Sequence, residues 1–188
     1  IVTSVTTLVN ARLTGADVKM FASIVPTFPA HIVTAKNITD IKQLKGKTGG
    51  VGRAGTTTEI GMRLGLARLG MDPNSDVKLL PVGSTADALA ALAKGVVQFA
   101  ILVEPFVREA EKLGFKSLVD IGSLNLPFHW NGAIAREATI RSKAPLLSKL
   151  SRALVEAIHG FKRDRESTIK TISKYTRITD ADSLDRTY

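Results

Sequence analysis

Short apolar runs alternate with amphipathic stretches through the middle of the chain, and glycine or proline lies at most of the junctions. This pattern predicts strands that alternate with helices and are joined by short links. The predicted strands are 48–52, 77–82, 97–103 and 117–121, and the predicted helices are 56–69, 85–94 and 105–114. Such alternation is typical of a parallel sheet with right-handed crossovers, so we predict an α/β fold.

The two flanks follow a different pattern. We predict a helix over 4–13, strands over 18–25, 31–35 and 130–136, and one helical turn over 40–44. From Pro145 onward the chain is predicted to be helical, with shorter helices over 167–175 and 180–187. The long helix carries an apolar stripe made of Leu146, Leu150, Leu154, Ile158 and Phe161. A change in composition near residue 125 marks the best internal boundary.

Composition limits the class of protein. The 188 residues suffice for one ordinary domain or two small ones, and the 23% of charged residues is typical of a soluble globular chain. No apolar run approaches the roughly 18 residues of a membrane span, and no secretory leader is visible. Because Ile1 is not a natural start, we expect a mature or truncated fragment. The absence of cysteine excludes disulfides, thiolate metal sites and a cysteine nucleophile.

The net charge of +9 raises the possibility of a nucleic-acid partner. The basic residues are, however, scattered along the chain, and the one dense group, 162–165, is interrupted by Asp164. No aromatic residues lie among these cations to stack on bases. A solvated helix end with cations near its carboxyl terminus explains the group better, so we predict no nucleic-acid partner.

Ligands of open parallel sheets bind beyond the carboxyl ends of the strands. This rule selects the segment from Arg53 to Thr57 after the first strand, then Gly83 and Ser84 after the second. Within 51–59 the chain reads as a strand end, a glycine turn and a helix start, where Thr56 and Glu59 have capping-box spacing. Gly55 would allow close approach to the backbone, and the helix start favours an anionic or polar ligand. We therefore predict that Gly55, Thr56 and Thr57 contact the ligand.

Four further side chains are candidates for ligand contact, and three of them have two interpretations. Glu104, after the third strand, either stabilises a helix start or contacts a cationic or hydrogen-bond-donating part of a ligand. Arg53 is either a solvated strand-end residue or a bidentate partner of a carboxylate or sulfonate. Trp130 belongs either to the core or to a stacking surface, and Asn131 beside it is a candidate polar contact.

The sequence shows no recognisable catalytic or metal-binding arrangement. His31, His129 and His159 fall in different predicted elements, and none has metal-ligand spacing to another histidine or carboxylate. There is no nucleophile elbow, phosphate-binding loop or dinucleotide motif. We therefore predict no catalytic residues, no metal and no cofactor.

Several motifs resemble those of bacterial ABC-transporter solute-binding proteins. The run DIKQLKGK at 40–47, followed by VGRAGT at 51–56, resembles the nitrate/sulfonate/taurine and thiamine-pyrimidine-precursor branch. Further matches follow in the same order at 69–73, 76–77, 82–84, 88–95, 104–106, 110–114 and 174–175. Each motif is short, but the ordered set extends over about residues 15–188.

The resemblance implies a type II periplasmic-binding fold, with two α/β lobes of parallel-dominated sheets and a hinge of two crossing strands. Residues 1–38 and 129–188 would form an incomplete first lobe, and 39–128 would hold the hinge and the second lobe, with its core over 46–123. The opening strands and helices of the first lobe have no counterpart here, which implies an N-terminally truncated chain. By position, the second-lobe wall of the ligand site would be Thr56, Thr57, Gly83, Ser84 and Glu104.

The resemblance further implies a substrate-binding component of an ABC importer. It would be a periplasmic or membrane-anchored extracellular monomer that closes on a small polar or anionic organic solute and delivers it to a membrane permease. Sulfonate, taurine, nitrate, bicarbonate, aromatic acid and aminopyrimidine all remain open as ligands. Two alternatives on the same fold are the effector-sensing domain of a transcription regulator and a pyrimidine-synthase-like enzyme. The enzyme alternative requires a cysteine-bearing iron site, and this chain has no cysteine.

Overall fold

The computed structural model describes the backbone of residues 1–188 and every side chain except that of Arg186. The strands are β1 (Val2–Ser4), β2 (Val18–Val25), β3 (His31–Thr34), β4 (Thr48–Val51), β5 (Lys78–Pro81), β6 (Phe99–Leu102), β7 (Lys116–Asp120) and β8 (Asn131–Arg136). The helices are α1 (Val5–Leu13), α2 (Thr57–Arg68), α3 (Thr85–Ala93), α4 (Phe106–Lys112), α5 (Glu137–Ser142), α6 (Ala144–Arg163), α7 (Arg165–Thr176) and α8 (Ala181–Thr187). Short 3-10 turns occupy Ile41–Leu44 and Gly122–Leu124. The predicted α/β class is confirmed.

The strands that the structure describes form two sheets. The smaller has the order β1-β8-β2, and both of its pairings are antiparallel. Helices α1, α5 and α6 pack against it. We call this sheet with α1 and α5–α7 the small unit. The larger sheet has the order β5-β4-β6-β3-β7 and, with α2–α4, forms the large unit.

The large sheet is mixed rather than parallel throughout. Strand β4 pairs in parallel with β5 and β6, as the alternation of strands and helices predicts. Strand β3 is antiparallel to both of its neighbours, with His31 opposite Leu102 of β6 and Asp120 of β7. Strands β4 to β7 therefore run in one direction, and β3 is inserted among them in the other.

The position of β3 differs from the sequence-based domain division, which assigned residues 31–34 to the first lobe. Ile32 and Val33 are both fully buried, and they lie in two different core clusters on opposite faces of the sheet. A strand that is buried on both faces needs packing on both sides, and the two core clusters of the large sheet provide it. The rest of the predicted division stays a prediction.

The core lies on the two faces of the large sheet. One cluster includes Phe28, Met62 and Phe99, and it packs beneath α2. The other includes Leu89 and Val107, and it packs beneath α3 and α4. Along β6 the side chains alternate between the two clusters, which is the period of two expected for a strand buried on both faces. The large unit thus gives the carboxyl ends of β4–β7 a rigid base.

Helix α6 has a different environment from the helices of the large unit. Each of its residues is at least partly exposed, although it carries the predicted apolar stripe. Leu146, Leu150 and Phe161 of that stripe are among the exposed large apolar side chains. Helix α5, whose bounds were not predicted, immediately precedes this helix. Among the residues described, no helix is both long and apolar enough to cross a membrane.

Candidate functional site

A pocket of about 390 Å³ opens at the carboxyl ends of β4 and β5, between the first turns of α2 and α3. We call it the helix-start pocket. Four of the predicted ligand-binding residues meet there: Arg53, Thr56, Gly83 and Ser84. The remaining lining residues are Gly52, Thr58, Thr85, Ala88 and Ile101. The pocket lies at the rim where open α/β sheets bind ligands.

The turn before α2 is held by its own hydroxyl groups. Thr56 Oγ1 donates to the Arg53 carbonyl at 2.6 Å and lies 3.1 Å from Thr58 Oγ1. Thr58 Oγ1 also accepts a hydrogen bond from the Gly52 N–H at 3.2 Å. Gly55 has a φ of +74°, a conformation that glycine adopts at little cost. These contacts keep the backbone of the turn in one conformation at the mouth of the pocket.

The predicted capping box between Thr56 and Glu59 is wrong. Thr56 is the N-cap residue, but no described side chain caps α2. The Thr56 hydroxyl faces the Arg53 carbonyl, and Glu59 Oε2 instead accepts the Gly55 N–H at 2.7 Å. This N–H, with burial opposing it and with Arg63 assisting, holds the pKa of Glu59 below its usual value. The first N–H groups of α2 therefore lack both intrahelical acceptors and a capping side chain.

The start of α3 has the opposite arrangement. Ser84 and Asp87 form a complete capping box. Ser84 Oγ donates to Asp87 Oδ2 at 2.7 Å and accepts from the Asp87 N–H at 3.2 Å. The Ser84 hydroxyl, and then its N–H, lower the pKa of Asp87. Because the Ser84 hydroxyl donates its hydrogen bond to this carboxylate, it is not available as a donor to a ligand.

A second cavity of about 580 Å³ lies beside β6, β3 and β7, and we call it the central cavity. Its lining residues are Thr27, Pro29, His31, Val103, Glu104, Asp120, Gly122, Trp130 and Thr187. Glu104 and Trp130, both predicted as ligand contacts, are thus separated from the helix-start pocket. Trp130 packs edge-on against Phe28, with ring centroids 4.8 Å apart, so it serves the core and the cavity together.

His31 and Asp120 of this cavity were not identified from the sequence. His31 Nδ1 lies 2.8 Å from Ser117 Oγ, and Nε2 lies 4.0 Å from Asp120 Oδ1. The two residues are opposite each other because β3 pairs with β7. Their proximity could not be predicted without knowing that β3 lies between β6 and β7. This position brings the start of β3 to the carboxyl ends of the other strands.

Three predicted ligand contacts, Gly55, Thr57 and Asn131, lie outside the linings of both cavities. Thr57 is buried, and its hydroxyl lies 2.8 Å from that of Thr6. Asn131 begins β8, and its buried Oδ1 has no hydrogen-bond partner among the described groups. The prediction that these residues contact ligand stays a prediction. Over the described residues, no group of three or more histidine or carboxylate side chains is placed to hold a metal ion.

The fold is shared with solved periplasmic binding proteins. The alkanesulfonate-binding protein SsuA from Xanthomonas axonopodis pv. citri, bound to MOPS, matches with a TM-score of 0.82 at 20% identity, over 99% of this chain and 64% of that one. The periplasmic aliphatic sulphonate binding protein SsuA from Escherichia coli gives 0.82 and 20%, over 98% and 63%. This chain therefore spans less than two thirds of the length of either protein.

A third match extends beyond binding proteins. The desulfurization enzyme DSZB gives a TM-score of 0.63 at 16% identity, over 90% of this chain and 64% of that one. No curated protein matches the sequence.

Fold and rim pockets together define a chain of the periplasmic-binding-protein fold, as predicted. The chain belongs to the NMT1/THI5 like family, whose model matches residues 2–164.

Proposed function

We propose that this chain is part of the substrate-binding component of an ABC importer, and that it captures a small organic solute through an acidic head group. The observation that carries the proposal is the uncapped start of α2, which opens with Arg53 into the helix-start pocket. A helix start supplies N–H donors and the positive end of the helix dipole, and both favour an anion. The names of the two SsuA proteins, which refer to sulfonate binding, support an acidic ligand.

The pocket geometry assigns different roles to its groups. The N–H group of Thr58 would bind the head group, and the Arg53 guanidinium would add a charge-assisted bond. The Thr56 hydroxyl proton is already donated to the Arg53 carbonyl, and the Ser84 proton to Asp87. Thr57 lies outside the pocket lining and its hydroxyl contacts that of Thr6, so its part would be to hold the first turn of α2 in place.

The central cavity would accommodate the rest of the ligand. The Glu104 and Asp120 carboxylates in its lining disfavour a second acidic group, and Trp130 offers an apolar face. We therefore expect a solute with one acidic end and a neutral or cationic remainder. Sulfonates, taurine and aromatic acids fit this description better than a dicarboxylate does.

Closure of the two units around the ligand would be the signal for delivery. The chain crosses between the units twice, at 26–30 and 121–130, and such crossings can act as a hinge. A permease in the membrane would then recognise the closed form. This role places the chain in the periplasm, or outside the cell on a membrane anchor, as a monomer.

Structural similarity to DSZB keeps an enzyme as the alternative. The lining of the helix-start pocket, where the head group would bind, includes no histidine, and the chain has no cysteine; His31 lies in the central cavity, away from the head group. Binding without chemistry therefore agrees better with the residues present.

A thermal-shift titration tests the proposal on the 188-residue chain. The panel is ethanesulfonate, taurine, nitrate, benzoate and an aminopyrimidine, with ethylammonium as the cationic control. A ligand that binds only the folded state raises the midpoint temperature of unfolding as its concentration increases. At a concentration one hundred times Kd, the added free energy of unfolding is about 2.7 kcal/mol. We expect a shift from at least one acid, and Arg53→Gln should reduce it. A folded chain that responds to none of the acids would overturn the proposal.

A further inference from the structure

Two charged pairs connect α4 with the start of α8. Lys112 Nζ lies 2.7 Å from Asp180 Oδ2, and the Arg108 guanidinium pairs with the Asp182 carboxylate. The two cations are four residues apart on α4, so they share one face of that helix. Both anions belong to the first turn of α8, where Asp180 is the N-cap residue. Opposite charges therefore meet in register between the two helices.

These two helices are anchored in different parts of the fold. Helix α4 packs on β3 and β7 of the large unit. Helix α8 packs on α7, which packs on α6, and α6 packs on β2 of the small unit. The pairs Arg108–Asp182 and Lys112–Asp180 therefore join the two units through side chains, in addition to the two places where the backbone crosses.

Helix α8 also borders the central cavity. Ser183 and Leu184 are each 7% exposed, so one side of this short helix is buried. Thr187, its last residue, lines the cavity together with residues of the large unit and of the two backbone crossings. Moving α8 away from α4 would consequently displace part of the cavity wall.

The anionic side of the contact is oriented by its own helix as well as by the cations. Asp180 Oδ2 accepts hydrogen bonds from the Ser183 N–H at 3.0 Å and from Ser183 Oγ at 2.5 Å. The Lys112 ammonium, followed by Ser183, holds the pKa of Asp180 far below its usual range. On the other side, Arg108 also lies 3.5 Å from Glu111 of its own helix. The carboxylate of Asp180 is thus ionised and oriented toward α4 at neutral pH.

We propose that α8 is an electrostatic clasp, which holds the small and large units closed over the central cavity and releases them as ionic strength rises. The Lys112 and Asp180 side chains are each 48% exposed, so water and salt reach the pair. Exposed pairs contribute little individually and are weakened by salt. A contact of this strength is readily reversible, as a device that opens and closes must be.

Distance measurements between spin labels test the clasp without any ligand, so the result does not depend on the proposed function. Because the chain has no cysteine, Ala90→Cys on α3 and Lys149→Cys on α6 give one label on each unit. Pulsed dipolar spectroscopy then reports the ratio of open to closed distances. Lys112→Gln should raise that ratio about two- to five-fold at low salt, the range expected for an exposed pair.

A double-mutant cycle separates the clasp from general loosening. Asp180→Asn keeps a good helix cap but removes the charge, and it should open the chain as far as Lys112→Gln does. The double variant should open no further, because the pair is already broken. The matched control is Lys170→Gln, which breaks the exposed Glu166–Lys170 pair within α7 and should leave the distances unchanged. Lys112→Gln distances that equal the parent's, with the same response to salt, would overturn the proposal.

Discussion

The hydroxyl oxygens of Thr6 and Thr57 lie 2.8 Å apart in a buried contact between α1 and α2. Thr6 is 7% exposed and Thr57 is 8% exposed. The contact joins the small unit, where α1 packs, to the first turn of the helix that borders the helix-start pocket. Ser4 Oγ lies 3.0 Å from Thr6 Oγ1 and extends the hydroxyl network toward the α1 cap.

The first prediction concerns this contact. Thr57→Val keeps the shape of the side chain but leaves the buried Thr6 hydroxyl with one partner fewer. We expect the free energy of unfolding to fall by about 1–2 kcal/mol, the range for a partly unsatisfied buried polar group. The Thr6→Val and Thr57→Val changes together should cost less than the sum of the two, since neither hydroxyl is then orphaned. Urea unfolding measures both quantities. If Thr57→Ser, which retains the hydroxyl, costs as much as Thr57→Val, the hydrogen bond is not the source of the stability.

The second prediction concerns a close approach between Gly61 and Phe28. A Cβ on Gly61 would lie 1.7 Å from Phe28 Cζ, so α2 packs directly on the ring. Gly61→Ala should therefore lower the free energy of unfolding by about 2 kcal/mol or more, because overpacking outweighs the gain of roughly 1 kcal/mol in helix propensity.

Gly160 provides the matched control for that experiment. It also lies within a helix, α6, but no described atom comes within 4 Å of its Cβ position. Gly160→Ala should raise the free energy of unfolding by about 0.5–1 kcal/mol. Thermal or urea unfolding of the two variants should thus move in opposite directions, and two shifts of the same sign would contradict the packing argument.

The third prediction concerns pH. The Gly55 N–H, and more weakly Arg63, lower the pKa of Glu59 in the folded chain, while burial acts against them. A carboxylate with a lowered folded pKa stabilises the fold above its unfolded value of about 4.3, and this contribution is lost as the pH falls through the folded pKa. Glu59→Gln should therefore destabilise at pH 7 and flatten the decline of stability below about pH 4.5. Urea midpoints between pH 3 and pH 7 test this, with Glu156→Gln on the exposed surface of α6 as the control. An unchanged pH profile in Glu59→Gln would refute it.

The fourth prediction concerns the ligand. Arg53→Gln should weaken binding of the best acidic ligand by about tenfold, which corresponds to one charge-assisted hydrogen bond. It should also reduce the salt dependence of that binding. Arg68→Gln removes the same charge from the far end of α2 and should have little effect. Isothermal titration at two salt concentrations distinguishes the variants, and equal affinities would remove Arg53 from the site.

The spacing of apolar residues and the positions of glycine and proline were sufficient to predict the strands and helices of the large unit. The buried run that contains β6 and the glycines after the helices are local signals, and they place β4–β7 within a few residues. A glycine within a helix costs stability, so the sequence favours a packing role for Gly61, and its close approach to Phe28 confirms that interpretation. Serine before a predicted helix favours a capping role, and Ser84 does cap α3.

Features that depend on distant pairing could not be predicted in this way. The segment His31–Thr34 has the composition of any short buried strand, and only its neighbours decide which sheet it joins. The burial of Thr57 depends on Thr6, 51 residues earlier. The predicted capping box of α2 was wrong for a more local reason. With a φ of +74° at Gly55, the N–H group of Gly55, rather than that of Thr56, donates to Glu59.

The pairing of His31 with Asp120 has a mechanical consequence. One backbone crossing enters the large sheet at His31, and the other leaves it just after Asp120. The pairing of β3 with β7 therefore holds the two crossings side by side where they meet the large sheet. In the proposed closure, the two crossings would therefore bend together about an axis that runs across both of them. His31 and Asp120 lie where the crossings meet the large sheet, and they also line the central cavity. A molecule bound in that cavity would therefore lie beside this bending axis.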